Sequence, residues 1–160
     1  MILDSLPIAL VTAMIAGGFG LPASPQEQER DKDKKKEVLV VVVHATNAIA
    51  CTEPEAKVLI KKLFLKTLTQ WPDGTRARPY ARESSSAAQI SFVGTLLGMN
   101  DAELARHWLR VKNMNGSTPP KDVASDRMML KYVARHKGAF GIVAKDAAKG
   151  AAGVRVLFEF

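Results

Sequence analysis

Residues 38–43 read Val-Leu-Val-Val-Val-Val. Successive side chains of a strand point to opposite faces, so a run with no polar residue on either face must be covered on both. The run predicts a central strand in a parallel or mixed sheet flanked by helices. The polar loop His44-Ala45-Thr46-Asn47 follows at its carboxyl end.

The rest of the chain alternates helical and extended patterns. Thr52 reads as a cap for a helix opening at Glu53-Pro54, where a proline lacks no needed donor and acids suit the positive end of the dipole. Val58, Leu59, Leu63 and Leu65 give that helix an apolar face with lysines opposite, ending near Lys66. Trp71-Pro72-Asp73-Gly74-Thr75 is a turn. A short strand follows at Arg76–Ala81, then a helix from Ser86 to Leu97 stopped by Gly98. Asn100 or Asp101 caps the next helix, which carries Leu104, Trp108, Leu109 and Val111. Asn113–Pro120 reads as a loop and Asp122–Lys137 as a helix with Val123, Met129, Leu130 and Val133 inward. Ala139–Val143 and Val154–Phe158 are the last strands. Such alternation predicts one α/β domain over residues 38–160.

Ahead of it, Leu6–Gly20 is apolar and ends in small residues, with Ala23 at a cleavage-like position. Residues 1–23 are expected to be a signal peptide, although Asp4 and no Lys or Arg precedes the stretch. Residues 24–37 hold no aliphatic or aromatic side chain to bury, and from Glu27 to Glu37 five acids balance five bases. A disordered tether is expected there, and the basic cluster Lys34-Lys35-Lys36 is diluted by its acids.

The whole chain carries 23 Lys plus Arg against 16 acids, a net charge of +7. That balance favours anionic partners. Arg76, Arg78 and Arg82 alternate and form one basic stripe, but with two tyrosines in the chain and no binding motif, no nucleic-acid partner is expected. Cys51 is the lone cysteine, so no internal disulfide forms, and it reads as a small buried residue. The three histidines lack ligand spacing, so no metal is expected. No nucleophile-elbow pattern, Walker loop or dinucleotide fingerprint occurs, and neither catalysis nor a cofactor is expected.

Arg82-Glu83-Ser84-Ser85-Ser86 opens a helix. Unpaired amides and a positive dipole end suit an oxyanion, and hydroxyls and a guanidinium add donors. Serines at a helix start are more often plain caps.

Lys62-Leu63-Phe64-Leu65-Lys66, Trp71-Pro72-Asp73-Gly74, Ser84-Ser85-Ser86-Ala87, Ser125-Asp126 and Gly138-Ala139-Phe140-Gly141-Ile142-Val143 occur in the order that marks the phosphate-type periplasmic solute-binding proteins of ABC importers. From about Val38 to Val143 the chain resembles that family. The resemblance implies a single lobe of a type 2 periplasmic-binding-protein fold. It also implies binding of phosphate or a similar oxyanion through Thr46, Asn47, Arg82, Glu83, Ser84, Ser85 and Ser86. In the family turn, the acid at the place of Glu83 accepts the proton of hydrogen phosphate. Ser84 and Ser86 stand where the family has glycine, Ala87 stands for a hydroxyl residue, and Arg82 is offset by one place from the family arginine. A periplasmic or secreted location follows from the same likeness, as do an ABC permease or another envelope protein as partner, and a homodimer through the face a second lobe would cover. The other reading is a degenerate lobe that binds no ligand and serves as a protein-interaction or envelope-associated module.

Overall fold

A computed structural model of the protein describes residues 37–160; the expected signal peptide and the expected tether up to residue 36 lie outside them. The apolar run forms β1 (Leu39–His44), flanked on one side by β4 (Ala139–Ala144) and on the other by β5 (Val154–Glu159). The remaining strands are β2 (Arg78–Arg82) and β3 (Lys121–Val123), and the sheet order is β3-β2-β4-β1-β5. β1 is antiparallel to both neighbours, whereas β2 is parallel to β3 and β4. The sheet is therefore mixed, with β1 the one strand running against the other four.

Two-sided burial holds as the run requires. Val41 and Val43 face a core built with Ile60, Leu63, Phe64, Trp71 and Phe92. Val40 and Val42 face a second core with Met129, Val133, Ala139 and Val143. Each buried valine contributes on the order of 1.5–3 kcal/mol relative to an exposed one. The first face is covered by α1 (Glu53–Phe64), α2 (Ala87–Ser91) with its continuation Phe92–Leu97, and α3 (Asp101–Asn115); the second by α4 (Asp126–Arg135) and the short α5 (Lys145–Ala148). The fold is a mixed α/β sheet flanked by helices.

Several local expectations change. The buried stripe of α1 is Ala56, Ile60, Leu63 and Phe64, leaving Val58 exposed, because the helix turns its 3.6-residue period onto Ala56 and Ile60. Leu109 is likewise exposed while Trp108 is buried. Residues Lys121–Val123 form the edge strand β3, and α4 starts only after the Ser125 cap; pairing of Tyr80–Arg82 with this segment overrides its helical pattern. The helix after Ser86 widens into a π-helical stretch at Phe92–Leu97 before Gly98 closes it in the left-handed region. Cys51 is exposed, in the segment ahead of α1.

At the amino end of α1, Glu55 accepts from both the amide and the hydroxyl of Thr52, at 2.9 and 2.8 Å. These bonds hold its carboxyl below the ordinary value. A depressed carboxyl stabilises the fold above its unfolded value and loses that contribution as the pH falls through the folded one.

The family-like Trp71 turn is fixed by a long-range bond. The Trp71 indole Nε1 donates to the Gly138 carbonyl at 2.8 Å, and the Arg78 amide donates to the same oxygen at 2.9 Å. Gly138 has φ +76°, and a Cβ there would collide with the Arg76 carbonyl. Gly138→Ala is expected to lower stability by at least about 2 kcal/mol, from left-handed strain plus the collision. Urea unfolding followed by Trp fluorescence checks this; an unchanged midpoint would contradict the packing described.

Candidate functional site

The turn from β2 into α2 carries most of the expected anion-binding residues. Ser86 is the cap. Its hydroxyl donates to the Glu83 carbonyl at 2.7 Å and accepts from the Gln89 amide at 3.2 Å. Its own amide also donates to the Glu83 carbonyl, at 2.9 Å. The Ser86 side chain is thus committed to shaping the turn. Glu83, Ser84 and Ser85 are exposed, and neither the Ser84 nor the Ser85 hydroxyl is engaged by another described residue.

Arg82 is held in place by groups outside the turn. Its Nη1 donates to Asp126 Oδ1 at 2.6 Å and its Nη2 to the Ala124 carbonyl at 3.2 Å. The second Asp126 oxygen accepts from the Ala144 amide at 3.2 Å. One carboxylate therefore ties the ends of β2, α4 and β4 together. The two side chains keep only 12% and 26% exposure, enough screening to lessen the pair's strength yet little enough to fix its geometry. Arg82 Nε is buried with no acceptor. The Nε of Arg155 is buried without an acceptor in the same way, so this feature is not particular to the turn.

Gln89, outside the expected anion-binding set, closes the turn. It is a buried polar residue, and its Oε1 accepts from the Arg82 amide at 3.0 Å. The readable signal is Ser86-Ala87-Ala88-Gln89, the spacing of a capping box. Here the amide side chain reaches past the cap to the end of β2.

Arg82 and Ser84 line a small cavity of about 150 Å³ whose wall also includes Asp101, Asp122 and the apolar Leu104 and Trp108. The two carboxylates oppose a fully ionised anion in that cavity and tolerate one that carries a proton to donate.

Thr46 and Asn47 lie elsewhere. β1 ends where β4 begins, with Val43 opposite Phe140, while the Arg82 end of β2 lies toward the Ala144 end of β4. The two groups sit at opposite ends of the sheet, and the seven residues do not form one constellation. Thr46 shares a hydrogen bond with His44 Nδ1 at 2.8 Å, and Asn47 is buried with its side-chain oxygen accepting from the Ile49 amide at 3.2 Å. Together with Asp73, Thr75 and Lys137 they line a separate cavity of about 210 Å³. Among the described residues no three His, Cys, Asp or Glu side chains gather as a metal site.

No family model matches this sequence, and no curated protein matches it. Solved structures do resemble the fold. An ABC-type phosphate transport receptor from Vibrio cholerae superposes with a TM-score of 0.55 at 18% identity, over 75% of this chain and 45% of that one. PstS from Borrelia burgdorferi superposes with a TM-score of 0.56 at 14% identity, over 76% of this chain and 46% of that one. The chain spans less than half the length of either. At these identities the likeness is one of fold: this domain has the architecture of one part of such a protein.

Proposed function

We propose that this chain is an exported, non-catalytic solute-binding lobe that holds a protonated tetrahedral oxyanion such as hydrogen phosphate, weakly, at the Arg82–Ser86 turn. The observation that carries the reading is the pair of exposed, unengaged Ser84 and Ser85 hydroxyls next in the chain to an arginine that Asp126 and Ala124 already hold in place. Ligands of open α/β sheets gather at the carboxyl ends of parallel strands, and this turn follows the carboxyl end of β2. Glu83, with Asp101 and Asp122 nearby, supplies acceptors for the ligand's proton and disfavours an anion that has none. The fold's likeness to phosphate transport receptors supports the ligand class, a binding role and a periplasmic setting, with an ABC permease as the partner of such a lobe.

A second reading has its own observation. The Ser86 hydroxyl and both terminal nitrogens of the Arg82 guanidinium bond to groups of the fold itself, as they would in a lobe that has become a protein-interaction module.

Isothermal titration of the full chain separates the two. Phosphate is expected to bind with a dissociation constant on the order of 1 mM, about −4 kcal/mol, and sulfate more weakly. Ser84→Ala with Ser85→Ala is expected to weaken phosphate several-fold. No heat at tens of millimolar phosphate would reject the oxyanion reading in favour of the interaction module, and equal affinity for sulfate would reject the requirement that the bound anion carry a proton.

Asp126→Asn is expected to cost roughly 1–3 kcal/mol, less than a fully buried pair because both side chains keep some exposure. Urea denaturation measures it, and a loss below about 0.5 kcal/mol would mean that the pair does not organise the turn.

A further inference from the structure

The basic stripe read from the sequence does not survive as three arginines. Arg82 turns to Asp126, whereas Arg76 and Arg78 line a groove of about 550 Å³. Lys66 comes to the same groove from just beyond the end of α1 and Lys121 from the start of β3, and no carboxylate lines it. The Ser117–Pro120 loop contributes the rest of the wall.

Two of these four cations are anchored. Lys66 Nζ donates to the Thr118 carbonyl at 2.6 Å, and Lys121 Nζ stands over the Tyr132 ring at 5.2 Å. Arg76 and Arg78 are exposed, and their guanidinium groups make no hydrogen bond or ion pair with any described residue. Gathering like charges without a counter-charge is unfavourable, and a bound polyanion relieves it. Lys66 registers the crowding: burial, and then the Arg76 charge, lower its pKa.

We infer that this groove is a binding site for a multiply charged oxyanion of the condensed-phosphate class, recognised by Arg76, Arg78, Lys66 and Lys121. Charge alone would serve an acidic peptide or a nucleic acid equally well, but the groove lacks what either needs. An extended peptide adds to a free sheet edge. Here the Ala77 amide is already bonded to the Thr69 carbonyl at 2.9 Å, and Pro79 has no amide hydrogen to give. Unpaired bases need an aromatic face. The one aromatic residue in the lining, Tyr80, is stacked on Tyr132 with centroids 5.4 Å apart and planes 15° from parallel. Guanidinium forks and ammonium groups on a short wall remain, and these suit adjacent phosphoryl groups.

Titration of the full chain with sodium tripolyphosphate tests this. Tripolyphosphate is expected to bind at least about tenfold tighter than orthophosphate at low salt, and to weaken steeply between about 50 and 200 mM salt. Arg76→Gln with Arg78→Gln is expected to lower that affinity about tenfold, the sum of two modest charge contacts, without lowering the unfolding midpoint, because both side chains are exposed and their mutual repulsion is relieved. Ser84→Ala with Ser85→Ala should leave it unaltered, which separates this site from the Arg82–Ser86 turn. Equal binding of orthophosphate and tripolyphosphate, an unaffected arginine double variant, or capture of poly-glutamate or a single-stranded oligonucleotide without tripolyphosphate would overturn the assignment.

Discussion

Everything in this domain is arranged around a strand that must be covered on both faces. Val40 and Val42 need one set of helices and Val41 and Val43 another, so β1 can occupy only an interior place with a layer above and a layer below. Its neighbours β4 and β5 are supplied by the last part of the described chain. Placing β1 antiparallel to the other four strands then sets the map of the surface: the loop after β1 emerges at one end of the sheet and the turn after β2 at the other. A chemical group near Thr46 and one near Ser84 are separated by the sheet's own length, about 3.3 Å for each residue along β4.

Positive charge is used in two different ways. Arg82 is paired with Asp126 and also donates to the Ala124 carbonyl, while the other Asp126 oxygen accepts from the Ala144 amide, so the arginine's charge mainly organises the backbone around it. Arg76 and Arg78, at the other end of the same extended stretch, stay unpaired and face the groove. The same residue type thus acts as an internal brace at the end of β2 and as free charge at its beginning. The difference lies in whether a carboxylate from α4 is within reach.

The elements with strong local chemistry were legible in the sequence. The two-faced valine run, the Thr52 and Asn100 caps, the Trp71 turn and the glycine stop after Leu97 each carry their cause within a few residues, and they appear where that chemistry puts them. The parts that were not legible depend on partners far along the chain. Lys121–Val123 has a helix-compatible pattern and becomes a strand only because β2 presents an unfilled edge. The fate of Arg82 is decided by Asp126, 44 residues away, and a stripe argument on β2 alone has no access to it. Strand direction is similarly hidden. An apolar run demands burial on both faces, but it is equally content between parallel and antiparallel neighbours. The separation of Thr46 and Asn47 from the serine turn follows from that one unread bit.

The pairing pattern also dictates a timetable. β1 is made first among the described strands, yet its two neighbours are made fourth and fifth. A growing chain therefore carries Leu39–Val43 with nothing to hydrogen-bond to until more than ninety residues later, when Ala139–Ala144 emerges. Throughout synthesis that segment is a sticky, uncharged edge of the kind other chains can add to. Any ribosome stall or nick before β4 would therefore release a fragment prone to self-association.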